Sequence, residues 1–193
     1  MNELFVYEIE STEKDNKNIP NFKNRKERYI FSDQDKYSLQ KISVLFRKFV
    51  KNGKYGETSR IYIYANKRNA DLVRKELICK LVLDEELLLG ELNNTVTSIA
   101  LKPKNRVGNR ITLNFNDHNK LSFTEFLNSV KSTGGFDDKE LIIKETPEGY
   151  TVVTPRFFDL EKIEKTYRYA LEIEEDGRLF LKKARKDTQW KNI

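Results

Sequence analysis

Two spacings of apolar residues alternate along this chain, and that alternation limits what it can fold into. In the clearest strand, Ile61, Tyr62 and Ile63 alternate between two faces, which is the period of two of a β-strand. Between residues 39 and 49, apolar side chains recur every three or four positions, which is the period of one buried helical face. The sequence therefore predicts an α+β fold, with a mixed or antiparallel sheet flanked by helices.

The same patterns place the individual elements. Strands are predicted at 4–9, 28–31, 60–65, 96–101, 111–115, 141–144, 150–154, 169–173 and 178–181. Helices are predicted between a cap at Ser32 or Asp33 and a stop at Gly53, and then at 70–82, 83–92, 121–131 and 158–169. Leu121, Phe126 and Leu127 are expected to face inward. The last two strands are expected to pair around Asp176 and Gly177.

The chain shows neither a repeat nor an interdomain linker, so the sequence predicts one domain over residues 1–193. Within it, 1–58 is an N-terminal strand and helix embellishment, 59–182 a core and 183–193 a basic tail. Of the net charge of +6, residues 59–120 contribute +4, residues 121–177 contribute −6 and residues 178–193 contribute +5. This segregation predicts a polarised surface whose basic parts attract polyanions.

Several classes of protein are disfavoured by what the sequence lacks. Cys79 is the sole cysteine, so no internal disulfide can form and a reducing compartment is expected. The N-terminus has no apolar signal core and no run of about 18 apolar residues occurs, so we expect a cytoplasmic protein with no membrane partner. No glycine-rich phosphate loop or nucleophile triad is found, and His118 is expected to be a turn residue. No metal or cofactor is predicted.

Basic side chains are the candidate contacts for nucleic-acid phosphates. The loop Lys102–Arg110 carries four of them and no acid, and Lys67 and Arg68 precede a helix. The predicted set is Arg60, Lys67, Arg68, Lys102, Lys104, Arg106, Arg110, Lys182, Lys183, Arg185 and Lys186. A weaker patch of Lys23, Arg25, Lys26 and Arg28 is diluted by Glu27. The alternatives are a solvated loop and a frayed basic terminus, to which Trp190 adds one aromatic ring.

Tyr62 and Tyr64 share one face of their strand and have two alternative roles. Exposed aromatics on a sheet stack on unpaired bases. Equally, the two rings can pack beneath a helix, and this core role is the favoured one.

Five short segments follow one another along the chain: Asn66 to Asp71, Ser98 to Asn105, Asn114 to Asn116, Thr146 to Asp159 and Glu174 to Gly177. Their order resembles that of the small phage proteins related to the primase–polymerase superfamily. The resemblance covers residues 59–182 and implies a primase–polymerase-like, RRM-like core. It also implies a catalytic set: two aspartates on one strand, a histidine on the next hairpin and a final acid.

This sequence departs from that set at three of its four positions. Asn114 and Asn116 stand where the resemblance implies aspartates, Thr151 stands at the histidine position, and only Asp176 matches. Because neutral amides do not offset the charge of Mg²⁺, the metal clamp of phosphoryl transfer is expected to be lost.

The sequence therefore predicts a catalytically inactive, phage-type nucleic-acid-binding protein whose partner is a structured or single-stranded RNA. A role in inhibiting a host CRISPR or other nucleic-acid-targeting ribonucleoprotein is a hypothesis from that context. Two alternatives stay open. One is an active primase or nucleotidyltransferase with a divergent metal site that uses Asp176 and Asp117. The other is a protein-interaction module that uses the acidic face of residues 121–177.

Overall fold

A computed structural model describes residues 2–83 and 91–187 of the chain. They form two compact units. Unit 1 contains residues up to Val107 and again from Leu181, and unit 2 contains Gly108–Phe180. These limits differ from the boundaries at 58 and 182 that the sequence suggests, and the single-domain organisation stays a prediction.

Unit 1 is built around a six-stranded antiparallel sheet whose central strand is β1 (Glu3–Ser11). One edge of β1 pairs along its length with β2 (Arg25–Ser32). The other edge pairs with β3 (Thr58–Tyr64) and with the short β4 (Lys67–Asn69). Beyond these lie β5 (Arg106–Val107), next to β4, and β10 (Arg178–Arg185), next to β3. Among the described strands β2 pairs with β1 alone, so its far side is an edge of the sheet.

Both faces of this sheet are covered by helices. On one face, Tyr7 and Ile9 of β1 pack with Phe46 of helix α1 (Ser38–Lys51). On the other face, Val6 packs with residues of α2 (Ala70–Leu83) and α3 (Leu92–Ala100). Successive strand residues point to opposite sides, so β1 contributes to two apolar clusters and is buried almost throughout.

Unit 2 has the element order β-α-β-β-α-β. Its elements are β6 (Ile111–Phe115), α4 (Lys120–Gly134), β7 (Ile142–Thr146), β8 (Gly149–Thr154), α5 (Glu161–Tyr167) and β9 (Leu171–Glu174). The strands form an antiparallel sheet in the order β7-β8-β6-β9. One cluster of apolar and aromatic side chains, centred on Leu113, Phe115 and Phe126, lies between this sheet and the helices.

The hairpin between β7 and β8 depends on a glycine. Gly149 has φ of 148°, where L side chains are strained. A Cβ at this position would lie 2.1 Å from the Phe115 carbonyl oxygen. The chain therefore approaches β6 too closely there for any other residue.

Most predicted elements are confirmed, among them the α+β class, β1, β3, α2, β6, α4 and the β7–β8 hairpin. Two antiparallel sheets replace the single sheet of the prediction. The helix predicted at 83–92 falls largely on residues 84–90, outside the described residues.

Three details of the prediction are wrong. The strand predicted at 96–101 is the helix α3, because Val96, Ile99 and Ala100 pack against Val6 at helical spacing although the segment is rich in β-branched residues. The helix predicted to begin after Ser32 or Asp33 begins at Ser38, and Leu121 is 76% exposed.

The predicted pairing of the last two strands is also wrong. β9 pairs with β6, whereas β10 pairs with β3 of the other sheet. Such pairings join residues distant in the sequence, which local patterns do not specify.

Candidate nucleic-acid interface

Two of the predicted phosphate contacts are internal to unit 1. Arg68 is fully buried, and its guanidinium lies 5.3 Å from the centre of the Tyr64 ring. Arg60 is 8% exposed and forms an ion pair of 2.5 Å with Asp15. A ligand on the surface cannot reach such groups, so we leave both outside the candidate interface.

Three predicted lysines are exposed in part but have acidic partners. Lys67 lies 2.6 Å from Glu3, and Lys102 and Lys104 both pair with Glu76, Lys104 at 2.8 Å. The two other basic residues of the 102–110 loop belong to different units. Arg106 lies in β5 opposite Arg68, whereas Arg110 precedes β6 in unit 2.

The end of β10 brings predicted basic residues to the loop that follows α1. Arg185 Nε donates to the Gly56 carbonyl oxygen (3.0 Å), and Lys186 Nζ donates to that of Gly53 (2.6 Å). Lys182 is exposed on the same strand, and Lys183 lies 3.7 Å from Asp15. The described part of the tail thus contacts the loop after α1, and Trp190 lies outside the described residues.

The two tyrosines of β3 lie on the face that α2 and α3 cover. Tyr64 packs on the apolar cluster there, and its hydroxyl donates to Glu8 Oε2 (3.3 Å). Glu8 is 1% exposed and also accepts from Arg28 Nε (2.6 Å), while Lys26 lies 3.2 Å away. Tyr62 is opposite Glu8 in the strand register and half-buried. The two tyrosine rings therefore border a buried ion cluster.

Helix α1 provides a basic surface that was not among the predicted contacts. Between Lys36 and Gly56 the sequence has six basic residues and no acid. Arg47, Lys48 and Lys51 are exposed, and Lys51 lies four positions after Arg47 and three after Lys48, so they share one side of the helix. None of these three has an acidic partner within the described ranges. The acid-free run is the sequence signal that would have found this surface.

Beside this surface, a groove follows the free edge of β2. Its larger pocket has a volume of about 520 Å³. It is lined by Lys26–Tyr29 of β2, by Lys48 of α1 and Asn52 just after that helix, and by Asn93 and Asn94 of α3. Since α1 and α3 cover opposite faces of the sheet, the pocket extends around its edge. Asn93 Nδ2 donates to the Arg28 carbonyl oxygen (2.9 Å) and so connects α3 to β2.

A second pocket, of about 410 Å³, continues the groove and shares Asn52 with the first. Lys23 and Phe22 line it, and Lys54 Nζ donates to the carbonyl oxygens of Pro20 (3.1 Å) and Asn21 (2.9 Å). We call these two pockets together the edge groove.

One arginine holds the edge groove in shape. Arg25 pairs with the buried carboxylate of Glu57 at 2.6 Å, donates to the Phe49 carbonyl oxygen (2.9 Å), and lies 4.2 Å from the centre of the Phe49 ring. It therefore connects the start of β2 to the end of α1. The patch that the sequence ranks as weaker, Lys23 to Arg28, forms one side of this groove.

Glu27 is the acid that dilutes this patch, and it has a local partner. The hydroxyl of Tyr29 donates to Glu27 Oε2. Burial of the ring, and then the neighbouring carboxylate, raises the pKa of Tyr29, so the phenol stays protonated and keeps donating. Tyr29 is therefore a fixed, half-buried ring on the edge groove.

In unit 2 the structure brings together two of the four positions that the resemblance marks. Asn114 of β6 lies opposite Thr151 of β8, and the Thr151 hydroxyl donates to Asn114 Oδ1 (2.7 Å). Both side chains are on the sheet face away from the aromatic cluster, with Glu172 of β9 on the other side of Asn114. Glu172 was not predicted as a site residue.

The other two marked positions lie toward opposite ends of β6. Asn116 follows the strand, and its backbone N–H donates to the Ala170 carbonyl oxygen (2.7 Å). Glu174, the last residue of β9, pairs with Thr112, and Asp176 lies two residues beyond it. Among residues 2–83 and 91–187, no three histidine, cysteine, aspartate or glutamate side chains are arranged to hold a metal ion.

Burial and two nearby carboxylates affect Glu174. Desolvation raises its pKa, Arg178 opposes this rise, and Glu172 and Asp176 add to it.

Comparisons with known proteins add no relative. No family model matches this sequence, and neither a curated protein nor a solved structure is significantly similar to it. In the described part of the chain, every helix is too short or too polar to cross a membrane.

Proposed function

We propose that this protein binds RNA through unit 1, with the exposed side of α1 and the edge groove as the contact surface. The observation that carries the proposal is the acid-free run from Lys36 to Gly56. It places Arg47, Lys48 and Lys51 beside a groove that also contains Lys23. Cations that follow a groove, with aromatic rings beside them, are a usual arrangement for binding nucleic acid.

Unit 2 agrees with the resemblance in its element order but supplies no part of the proposed contact surface. Its β-α-β-β-α-β order is that of ferredoxin-like folds, to which the RRM-like core of the primase–polymerase resemblance belongs. RNA-recognition sheets bind bases through aromatic side chains on their central strands. Away from the aromatic cluster, the central strands β6 and β8 carry Thr112, Asn114, Thr151 and Val153. Base stacking on that face is therefore not part of the proposal.

The test is charge reversal on α1. Fluorescence anisotropy with a labelled single-stranded RNA, at about 50 and 200 mM salt, measures both the affinity and its salt dependence. We expect Lys48→Glu together with Lys51→Glu to weaken binding about tenfold or more and to lower the salt slope by about 1 per lysine.

The matched control reverses Lys162 and Lys165, which are exposed on α5 of unit 2. It makes the same change in net charge and is expected to leave the affinity nearly unaltered. Equal loss in both double variants would mean that the interaction follows net charge alone, and the α1 surface would be wrong. Absence of RNA binding by the wild-type protein at low salt would overturn the proposed function.

A second candidate function is the protein-interaction module. It is favoured by β7, a strand at the edge of the unit 2 sheet that exposes Ile142 (37%) and Ile143 (38%) within the acidic part of the chain. If charge reversal within 137–145 abolished the protein's effect while the α1 lysines could be neutralised freely, this candidate would replace RNA binding.

The primase alternative has a direct test of its own. Metal-dependent nucleotide incorporation that Asp176→Ala abolishes would establish it.

A further inference from the structure

A third pocket lies next to the edge groove. This pocket, of about 290 Å³, lies between α2 and α3, where Lys80, Thr95 and Lys102 line it. Asn94 lines both this pocket and the 520 Å³ pocket, just as Asn52 lines both the 520 Å³ and the 410 Å³ pockets. The three cavities therefore lie next to one another within unit 1, with one asparagine between each neighbouring pair, and we call them together the track.

The shape of the track favours a single strand. Its first two pockets follow the chain from Lys23 into β2 as far as Tyr29, which is about 20 Å at the rise of an extended chain. The larger pocket extends around the edge of the sheet, between the helices on its two faces. Bases reach into such pockets only when they are unpaired and turned out of a stack, as in single-stranded RNA.

The amides along the track suit base edges. An asparagine amide offers one acceptor and two donor hydrogens, which can match the donor and acceptor pattern of a base. Asn52, Asn93 and Asn94 are all exposed. The hydrogen bond from Asn93 to the Arg28 carbonyl oxygen fixes the orientation of that amide and leaves its Oδ1 as an acceptor.

The charged residues of the track suit two different parts of an RNA strand, its phosphates and its bases. Lys23 and Lys48 are exposed and suit phosphates. Glu27 and Glu91 also line the track and would repel a phosphate, but a carboxylate accepts hydrogen bonds from base amino groups. The RNA phosphates are thus expected beside the lysines, and the bases beside the glutamates.

We propose that this track binds single-stranded RNA and that Asn52, Asn93 and Asn94 determine its base preference. The inference rests on the proposed function and adds to it the strandedness of the ligand and the residues that read it. Lysines here set affinity for any sequence, whereas the amides set the difference between sequences.

The experiment measures the affinity of the full chain for labelled 12-nucleotide RNAs of A, C or U and for an RNA duplex of the same length. The variants are Asn52→Ala, Asn93→Ala and Asn94→Ala, each made singly. We expect at least one of these variants to lose affinity for the preferred RNA by about fivefold or more, so that the affinities for the A, C and U strands become more similar. Lys48→Ala is expected to weaken all single strands equally.

Gln40→Ala is the matched control, since Gln40 is an exposed amide on α1 that does not line the track. If the protein binds RNA but all three asparagine variants keep the wild-type affinities and base preference, the inference is overturned and the proposed function stands. Equal or tighter binding of the duplex also overturns it. Failure of every RNA to bind at low salt removes the proposed function and this inference together.

Discussion

The two units of this protein bury their sheets by different means. In unit 1 the sheet is covered on both faces, and one face contains a buried ion cluster around Glu8 in addition to apolar residues. Unit 2 has one cluster, rich in aromatic rings. The rings of Phe115 and Phe126 stack with their centres 4.7 Å apart, and those of Phe123 and Tyr150 with their centres 3.9 Å apart. The first arrangement uses charges in the interior, and the second uses almost none.

This difference teaches where charge is available for a ligand. In unit 1, Arg60, Arg68 and Arg28 are occupied by interior contacts, although the sequence presents them as ordinary basic residues. The cations that remain for a polyanion are Arg47, Lys48 and Lys51 of α1 and Lys23 just before β2, because Lys26 is paired with Glu8 and Glu10. Buried ion pairs and surface cations can be told apart only once burial is known.

The largest effect is expected from the aromatic cluster. Phe126→Ala should lower the free energy of unfolding by about 3–5 kcal/mol, because Phe126 is fully buried and its contacts with Phe115 and Tyr167 cannot be replaced. Chemical denaturation followed by circular dichroism measures it. A loss below about 1 kcal/mol would mean that unit 2 does not depend on a tightly packed aromatic core.

The ion cluster of unit 1 gives the next largest effect. Glu8→Gln should cost about 3 kcal/mol, since it leaves Arg28 and Lys26 beside a neutral group in a buried site. The control is Glu172→Gln at an exposed position of β9 in unit 2, where a change within about 0.5 kcal/mol is expected. If both exchanges cost the same, the contrast between the two units fails.

A helix cap provides an intermediate effect that compares α4 with α1. Asn119 Oδ1 accepts from the backbone N–H groups of Leu121 (3.0 Å) and Ser122 (3.3 Å), whereas Tyr37 at the start of α1 makes no such side-chain bond. Asn119→Ala should therefore destabilise the protein by about 1 kcal/mol. Thermal unfolding measures this, and Asn119→Ser should recover most of the loss.

The smallest effect concerns the half-buried Glu174. Its pKa is raised in the folded state, so ionisation opposes folding at pH values above the folded pKa, and protonation removes that penalty as the pH falls. Glu174→Gln should raise the melting temperature slightly at pH 7, and the gain should disappear in acid. A variant that is less stable than wild type at pH 7 would show instead that its interaction with Arg178 dominates.

Much of the fold could be predicted from local patterns. β3, β6 and the β7–β8 hairpin follow from alternation and turn residues, and α4 follows from periodic apolar positions. The segment of α3 could not, because its valine, threonines and isoleucine favour a strand until Val6 offers them a helical packing surface. The pairing of β10 with β3 joins residues more than a hundred positions apart, which no local pattern encodes.

The candidate site was harder to predict than the fold. Basic residues could be counted, but the fully buried Arg68 and the paired Lys102 look the same in sequence as the exposed Lys48. The amides of Asn52 and Asn93 line one pocket only because α1 and α3 lie on opposite faces of the sheet beside one strand. The signal that was present, the lack of acids from Lys36 to Gly56, lies outside the segments that carry the family resemblance.

The unpaired side of β2 also bears on how the protein behaves at high concentration. A bare strand border offers its amide and carbonyl groups to any extended chain, including a second copy of the same molecule, and cationic side chains discourage such self-association. Lys23 and Lys26 stand along this border, so the groups suited to hold RNA would also keep the molecules apart. Neutralising them would thus weaken RNA binding and also promote self-association. Light scattering should therefore accompany any binding measurement on such variants.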